Sequence, residues 1–254
     1  MSVLMASISV TEARKRLFSL IDDVRESHEP IEIQGKRGSA VLRFSRDLAT
    51  AHVPVILTSL LLLAIGYLLG AIPSGYLAGR WLKGIDLRDC GSGSIGATNV
   101  LRNVGKGPAL VVFLIDLGKG ALAVLLAKSV GLSDWLQVLA GLAALAGHIW
   151  PVWLGWKGGK AVATGLGMFL GLAWPVGLAC FGLFMAVISI FRIVSFSSVV
   201  AAIGLPLLML LSGGSSAYVV VSLVASLMVL WRHRSNIERL LAGTEPKIGQ
   251  KAKG

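Results

Sequence analysis

Long, nearly uninterrupted apolar blocks dominate this sequence and restrict it to one class of fold. From Val53 to Trp231 the chain contains seven of them: 54–79, 109–128, 135–153, 161–173, 174–191, 196–212 and 216–231. A helix needs about 20 apolar residues to cross a bilayer, and most of these blocks approach or exceed that length. With 55% hydrophobic and 15% charged residues, the chain is too apolar for a soluble domain. The sequence therefore predicts an all-α polytopic membrane protein with about seven transmembrane helices.

The fourth block, 161–173, is the exception because it is too short for an upright span. Only the Trp174-Pro175 pair separates it from the fifth block. A tilted or half-inserted pair of helices is the alternative there, so the count of spans is six or seven.

Residues 1–50 differ in character from the membrane part, residues 53–254. Ser9 and Glu12 fit a helix-capping box. Apolar residues then recur at helical spacing, at Leu17, Leu20, Ile21 and Val24. After Pro30, "IEIQGKRGSAVLRF" alternates apolar and polar residues around a glycine-flanked turn, which predicts a hairpin. The sequence thus predicts a small α+β N-terminal extension.

Positive charge gathers on one side of the predicted bundle. The loop 80–108 holds five Lys/Arg residues, the loop 154–160 holds Lys157 and Lys160, and the tail from Arg232 holds six, whereas the opposite side carries only Lys128. Because cytoplasmic loops are enriched in Lys and Arg, these loops and the C-terminus are predicted to face the cytoplasm. Residue 53 then starts outside.

The first of these loops contains "DLRDCGSGSIGATNVLRNVGKG", in which glycines alternate with Ser92, Thr98, Asn99 and Arg102. Glycines let backbone N–H groups approach a ligand, and the polar side chains supply further donors. This pattern favours a phosphate site. A flexible linker with a snorkelling arginine is the alternative, but it does not account for the Thr-Asn-x-x-Arg cluster.

The second loop, "KGGKAVAT", precedes an apolar helix, whose first N–H groups carry the positive end of the helix dipole. Lys160 adds a point charge there. The G-x-x-x-x-G-K-[ST] pattern is absent, which argues against an ATPase.

The third basic segment is the tail "WRHRSNIERLLAGTEPKIG", in which His233 and Asn236 share one helix face. Polar side chains also occur within or beside the apolar blocks, at Asp116, Lys119, His148, Ser195 and Ser198. Asp116 and Lys119 lie three residues apart, so mutual neutralisation is the alternative to a binding role. Three basic segments on one face would repel each other without anions between them. They indicate a phosphate-bearing ligand, and the membrane frame indicates that its other part is lipid.

Cys90 and Cys180 form neither a disulfide framework nor a metal-ligand cluster, so no metal is predicted.

Three ordered stretches resemble a known family. "GSGSIGATNVLR", "GHIWPVWLGWKGGKAVAT" and "HRSNIERLLAGTE" are similar to the three motifs of the bacterial acyl-phosphate:glycerol-3-phosphate acyltransferases, over residues 66–250. The resemblance implies acyl transfer from acyl phosphate to sn-glycerol 3-phosphate. The products would be 1-acylglycerol 3-phosphate (lysophosphatidate) and phosphate, in bacterial phospholipid biosynthesis. It also implies a seven-span protein of the inner membrane, a cytoplasmic active site and no cofactor.

Carried over to this sequence, the resemblance and the polar pattern predict a set of site residues. The predicted catalytic residues are Ser92, Asn99, Arg102, His233 and Asn236. The predicted substrate-binding residues are Gly93, Thr98, Lys119, His148, Gly158, Gly159, Lys160, Thr164, Ser195 and Ser198. Glu245 is predicted to support the fold of the tail. A substrate phosphate, assisted by His233, is predicted to accept the proton of the glycerol 3-phosphate hydroxyl.

The sequence leaves two alternative functions. A transporter of a phosphorylated solute would show internal repeats or mid-membrane polar groups on several spans, whereas here the polar groups gather near one face.

Residues 5–48 resemble the N-terminal part of prevent-host-death antitoxins, which bind operator DNA, so a membrane-tethered DNA-binding module is the second alternative. The predicted topology places this extension across the membrane from DNA. It is therefore interpreted as a vestigial or mis-annotated addition, and no nucleic-acid partner is predicted unless it functions.

Overall fold

The computed structural model describes residues 6–27, 29–36, 38–42 and 46–250. It divides into two compact units, Met1–Leu57 and Thr58–Gly254.

The first unit contains a three-stranded sheet and two short helices. Its elements are β1 (Ala6–Ser9), α1 (Val10–Lys15), α2 (Leu17–Ser27), β2 (Ile31–Gly35) and β3 (Gly38–Leu42). β2 pairs in parallel with β1 and antiparallel with β3, which confirms the predicted hairpin. The Ser9 side chain accepts the Glu12 N–H at 3.2 Å, which confirms the predicted cap of α1. Only Ala13, Leu20 and Val24 are buried apolar side chains among its described residues.

The rest of the described chain is helical. The helices are α3 (Arg46–Ala71), α4 (Ser74–Lys83), α5 (Ala97–Asn103), α6 (Lys106–Ser129), α7 (Asp134–Ile149), α8 (Val162–Leu172), α9 (Trp174–Phe191), α10 (Val194–Leu211), α11 (Ser216–Arg232) and α12 (Arg234–Leu241). Every apolar block of the sequence overlaps at least one of them. This confirms the all-α membrane fold, and the first unit confirms the small α+β extension.

The number of full spans is smaller than seven. In the described part of the chain, five segments are long and apolar enough to cross a bilayer: Val55–Lys83, Lys106–Ser129, Asp134–Leu154, Trp174–Phe191 and Val194–Leu211. The helices α11 and α12, bent by 61° at His233, form a sixth candidate. The helix α8 has 11 residues, so at 1.5 Å per residue it is only about 16 Å long. The short fourth block is therefore a partial helix, as its length indicated.

Glycines bring α8 against α6. A Cβ on Gly120 of α6 would overlap the Thr164 carbonyl, and a Cβ on Gly167 of α8 would overlap the Leu117 carbonyl. Small residues allow membrane helices to approach this closely. The contact fixes the N-terminus of α8 beside the segment of α6 that carries Asp116.

A buried ion pair lies where the first span breaks, between α3 and α4. The Lys119 Nζ lies 2.8 Å from Asp116 Oδ1 and donates to the Ile72 carbonyl at 3.2 Å. The Ser74 hydroxyl donates to the same Asp116 oxygen at 2.6 Å. Pro73 precedes α4, and a proline cannot continue the hydrogen bonding of α3. The Ile72 carbonyl at the break thus accepts from both Lys119 and the Ser74 N–H, the latter at 3.0 Å. The structure shows the Asp116–Lys119 pairing that the sequence offered as an alternative.

Replacing Asp116 with asparagine is expected to destabilise the protein by about 3–5 kcal/mol, because Lys119 would remain buried without its counter-ion. Adding Lys119→Met to that variant is expected to restore part of the loss, since the uncompensated charge is then removed. Thermal unfolding in detergent measures both effects, with the exposed Asp89→Asn as control. Equal stability of the single and double variants would contradict the pairing.

Candidate active site

Three distant segments of the sequence line one polar cavity. Its volume is ≈ 140 Å³. The lining includes Ser92, Thr98, Asn99 and Arg102 from the first loop, Lys160 from the second, His233, Asn236 and Glu245 from the tail, and Ser195 and Ser198 from α10. Residues from all three basic segments therefore meet at one place, together with His148.

The first loop is organised by Asn99, which is 1% exposed. Its Nδ2 donates to the carbonyls of Leu87, Cys90 and Ser94, at 3.0, 3.0 and 2.9 Å. Its Oδ1 accepts the Ser92 N–H at 3.2 Å. Although Asn99 lines the cavity, these bonds commit its amide to shaping the loop. Asn99 thus holds Ser92 in place, and its predicted catalytic role stays a prediction.

Arg88, which is paired with Asp86 inside the first loop, joins that loop to the second. The Arg88 guanidinium binds Asp86 at 2.7 Å and donates to the Leu154 carbonyl at 3.2 Å. The hydrogen bond from Arg88 lowers the pKa of Asp86 to about 2, so the carboxylate stays charged at any physiological pH. The pair ties the glycine-rich loop to the segment that leads into Lys160.

The second loop is held by its own backbone. The N–H groups of Gly158 and Gly159 donate to the carbonyls of Ile149 and His148 at 3.1 and 3.0 Å. Their carbonyls accept from the Arg232 guanidinium at 3.3 and 2.9 Å. The two N–H groups are thus already bonded. The two glycines shape the turn that presents Lys160, and their direct contact with a phosphate stays a prediction.

Lys160 and Ala161 end the turn at the cavity. Ala161, the N-cap of α8, has φ 58°, a left-handed conformation that glycine adopts more easily than alanine. The next residues, Val162 and Ala163, also line the cavity. The first turn of α8 therefore places its free N–H groups at the cavity edge.

A chain of hydrogen bonds links Lys160 to the tail. The Lys160 ammonium donates to Asn236 Oδ1, and Asn236 Nδ2 donates to Glu245 Oε1 at 2.6 Å. Glu245 also accepts from Ser195 and Arg239, each at 2.7 Å. Burial raises the pKa of Glu245, but these hydrogen bonds outweigh burial and hold that pKa below its usual range. The contacts agree with the predicted supporting role of Glu245, which also forms part of the cavity wall.

Burial is the main cause that lowers the pKa of Lys160 to about 8. Glu245 raises this pKa, while Arg239, Arg232 and Arg102 lower it. The cavity is therefore electropositive enough to oppose the charge of its own lysine. An anion bound there would relieve that repulsion.

Arg102 and His233 complete the polar lining. The Arg102 Nη2 donates to the Pro246 carbonyl at 3.4 Å, which connects α5 to the tail. The His233 Nδ1 lies 2.8 Å from the Val229 carbonyl. A carbonyl can only accept, so Nδ1 carries the proton and Nε2 is left as the acceptor of the ring.

Some predicted site residues lie outside the cavity lining. Lys119 is paired with Asp116, and the Thr164 side chain is buried without a hydrogen-bond partner among the described residues. The Gly93 N–H bonds to the Cys90 carbonyl at 3.0 Å within the first loop. Lys119, Thr164 and Gly93 thus do not line the cavity, and their contact with substrate stays a prediction. His148 does line the cavity, but its ring lies where a Cβ on Gly159 would be, so it also buttresses the second loop.

The lining also contains residues that the sequence analysis did not assign, including Phe113, Asp116 and Phe184. Phe113 and Asp116 lie three apart on α6, so their shared face could have been inferred from the position of Asp116. Phe184 lies in the uniformly apolar helix α9, whose sequence gives no indication of which face is functional.

An apolar cavity of ≈ 100 Å³ adjoins the polar one. Both are lined by Phe113, Val162, Ala163, Phe184 and Ser198. In the described part of the chain, no group of three or more His, Cys, Asp or Glu residues could hold a metal ion. A cationic cavity beside an apolar one, within a helical membrane bundle, defines a membrane protein suited to an anionic amphiphile.

Comparison with other proteins agrees with this class. Residues 60–243 match the family profile "Glycerol-3-phosphate acyltransferase". The chain is 91% identical over 212 residues to the glycerol-3-phosphate acyltransferase of Parasynechococcus marenigrum (strain WH8102), covering 84% of this chain and 100% of the relative. It is 69% identical to that of Prochlorococcus marinus (strain MIT 9313), covering 76% and 96%.

The fold is similar to crystal structures of PlsY (YgiH), an integral membrane glycerol 3-phosphate acyltransferase. The glycerol 3-phosphate form superposes with a TM-score of 0.72 at 40% identity, covering 75% of this chain and 96% of that one. The lysophosphatidic acid form superposes with a TM-score of 0.70 at 38% identity, covering 75% and 95%. This chain belongs to the glycerol-3-phosphate acyltransferase family and is an enzyme of that class. None of these matches supports the antitoxin resemblance of residues 5–48.

Proposed function

We propose that the polar cavity binds glycerol 3-phosphate together with the phosphate end of an acyl phosphate, while the apolar cavity holds the acyl chain. The observation that carries this assignment is the shared wall of the two cavities, which includes Phe113, Phe184 and Ser198. An acyl phosphate has its reactive carbonyl between an anionic group and a hydrocarbon chain. The shared wall is where such a carbonyl would lie.

Two cations are available for the two phosphate groups. Lys160 and Arg102 both line the cavity, and each donates a hydrogen bond to the tail, Lys160 to Asn236 and Arg102 to the Pro246 carbonyl. Exchanging those contacts for phosphate oxygens gives charge-assisted hydrogen bonds, which are stronger than neutral ones. Ser92, Thr98 and Ser198 supply hydroxyl donors on the remaining walls.

The proposed reaction requires little from the protein beyond placement and charge. The first hydroxyl of glycerol 3-phosphate attacks the acyl carbonyl carbon, the bond to the phosphate oxygen breaks, and inorganic phosphate leaves. The hydroxyl proton passes to a phosphate oxygen, with His233 Nε2 as the nearby protein acceptor. Holding the two reactants together and neutralising their charges supplies most of the acceleration. Lysophosphatidate and phosphate are the products.

The related structures support the choice of acceptor and product. One is a glycerol 3-phosphate form and the other a lysophosphatidic acid form of the same integral membrane enzyme. Both molecules are thus ligands of a protein with this fold. Purified protein given palmitoyl phosphate and labelled glycerol 3-phosphate is expected to release labelled lysophosphatidate. Absence of product with any acyl phosphate would refute the proposed donor.

The pKa of Lys160 predicts how acceptor binding depends on pH. Below about 8 the ammonium is charged; above it, the neutral amine loses its attraction for phosphate. The second ionisation of a phosphate monoester lies near pH 6, so the ligand charge is constant in this range. The KM for glycerol 3-phosphate is therefore expected to rise as pH increases through 8. Lys160→Arg, which stays charged, should abolish that rise, and a rise that persists would contradict the assignment.

We also propose that the site faces the cytoplasm, because the loops that form it carry most of the Lys and Arg residues. Single cysteines at the exposed positions 157 and 238, in a background without Cys90 and Cys180, should both be labelled from the cytoplasmic side of inner-membrane vesicles. Labelling of the two positions from opposite sides would refute a single cytoplasmic site.

Residues 1–50 are proposed to be an addition that the acyltransferase, residues 53–254, does not need. The family profile matches residues 60–243, which lie wholly after this extension. A variant that starts at residue 53 is expected to keep wild-type kcat and KM. Loss of activity at equal membrane abundance would show that the extension contributes.

A further inference from the structure

The apolar cavity runs along three helices away from the polar one. On α10 its lining continues from the shared Ser198 to Leu205, and on α8 from the shared Val162 to Phe169. On α9 it continues from the shared Phe184 back to Cys180. Ser198 and Leu205 are seven residues apart and share a helix face, so at 1.5 Å per residue the cavity is about 10 Å deep.

The side chains that line this cavity are small in its middle and large at its far end. The middle is lined by Ala201, Ala202, Ala225 and Ser226, whereas Leu205 and Phe169 lie farthest from the polar site. The Ser226 hydroxyl donates to the Ala202 carbonyl, so it needs no water in the cavity. Small side chains there leave room for an extended hydrocarbon chain.

Packed protein closes the far end. Leu205 is 7% exposed, and Met209, one turn further along α10, is fully buried in the same core cluster. Interiors of this kind are close-packed, so a chain that reaches Leu205 finds no continuing space. The end of the cavity is therefore a wall.

We infer that Leu205 is a specificity-determining residue that sets the length of acyl chain the cavity accepts. The inference rests on the proposed function. A bilayer's hydrocarbon core is about 30 Å thick, so a full membrane acyl chain is about 15 Å long. A cavity about 10 Å deep holds about two-thirds of such a chain. Longer chains must displace Leu205 or leave the cavity sideways, and both cost binding free energy.

The test compares donors of different length within each variant. In Leu205→Ala, the ratio of kcat/KM for stearoyl phosphate to that for lauroyl phosphate is expected to rise about tenfold, the usual effect of one or two methylenes in an apolar pocket. In Ala202→Leu, which fills the middle of the cavity, the same ratio is expected to fall. Because each ratio is measured on one preparation, partial loss of folded protein cancels. Ile203→Ala, which is 60% exposed on the same helix, is the matched control and should leave the ratio unchanged.

Opposite shifts in Leu205→Ala and Ala202→Leu support the inference. If the wild type uses both donors and neither variant changes the ratio, the inference is overturned while the proposed function stands. If the wild type makes no lysophosphatidate from any acyl phosphate, the proposed function is overturned and the inference with it.

Discussion

Lys160→Ala is expected to lower kcat/KM for glycerol 3-phosphate by about a hundredfold, because a buried charge-assisted contact of this kind contributes about 2–5 kcal/mol when one partner is truncated. Lys160 lines the cavity and its ammonium bonds to Asn236. Most of the loss should appear in KM, since the ammonium binds a phosphate that is present in both the bound substrate and the transition state. Steady-state kinetics with varied glycerol 3-phosphate measures it.

The same loop supplies a matched control. Lys157 lies three residues earlier, carries the same charge and is exposed, outside the cavity lining. Lys157→Ala removes one unit of positive charge from the loop without touching the cavity, so its kinetics should stay within about twofold of wild type, as expected of an exposed charge. Equal effects of the two substitutions would mean that the loop acts through its general positive potential and not through a specific contact.

The meeting of the three basic segments could be predicted from the sequence for a physical reason. Lys and Arg are enriched in the loops on the cytoplasmic side of a membrane protein. Their positions in the sequence therefore predict which loops share one face of the membrane. Few kinds of side chain commonly bind phosphate, and Ser92, Arg102 and Lys160 are among these kinds. The chain's apolar blocks predicted the helices in the same way, since length and hydropathy alone determine them.

The roles within the site were less predictable because they depend on which hydrogen bonds are already made. Asn99 resembles a ligand-binding amide in sequence, but its side chain is used to close the first loop. Gly158 lies in a sequence typical of a phosphate-binding loop, yet its N–H donates to the Ile149 carbonyl. Local sequence specifies donors and acceptors, whereas their partners are set by segments distant in the chain.

The apolar cavity was beyond sequence analysis for a different reason. Phe184 and Cys180, for example, lie in α9, an almost uniformly apolar helix. Such helices show no amphipathic stripe, so the face that turns to a ligand is indistinguishable from the face that turns to lipid. Packing decides it.

Gly159→Ala is expected to reduce kcat/KM by about a hundredfold, because the loop that presents Lys160 would be displaced, and a shift of about 1 Å can cost this much. A Cβ at Gly159 would overlap the His148 ring, with Nε2 as the nearest atom. The Gly159 N–H and carbonyl are both bonded, to His148 and Arg232, so the loop cannot move without breaking one of these contacts. Kinetics of the purified variant, together with its thermal unfolding, would separate a displaced loop from a misfolded protein.

A second substitution distinguishes this steric cause from any other effect of losing a glycine. At Gly159 the obstacle is a side chain, so adding His148→Ala should make room for the new methyl group and recover part of the activity relative to Gly159→Ala. At Gly158 the obstacles are the His148 and Ile149 carbonyls and the Pro151 ring, and Gly158→Ala should gain nothing from His148→Ala. A double-mutant cycle for each pair gives the coupling, expected to be large for Gly159 and near zero for Gly158. Coupling that is equal in the two cycles would mean that His148 does not buttress the turn and acts on the substrate instead, since only direct contact with the added methyl group separates the two glycines.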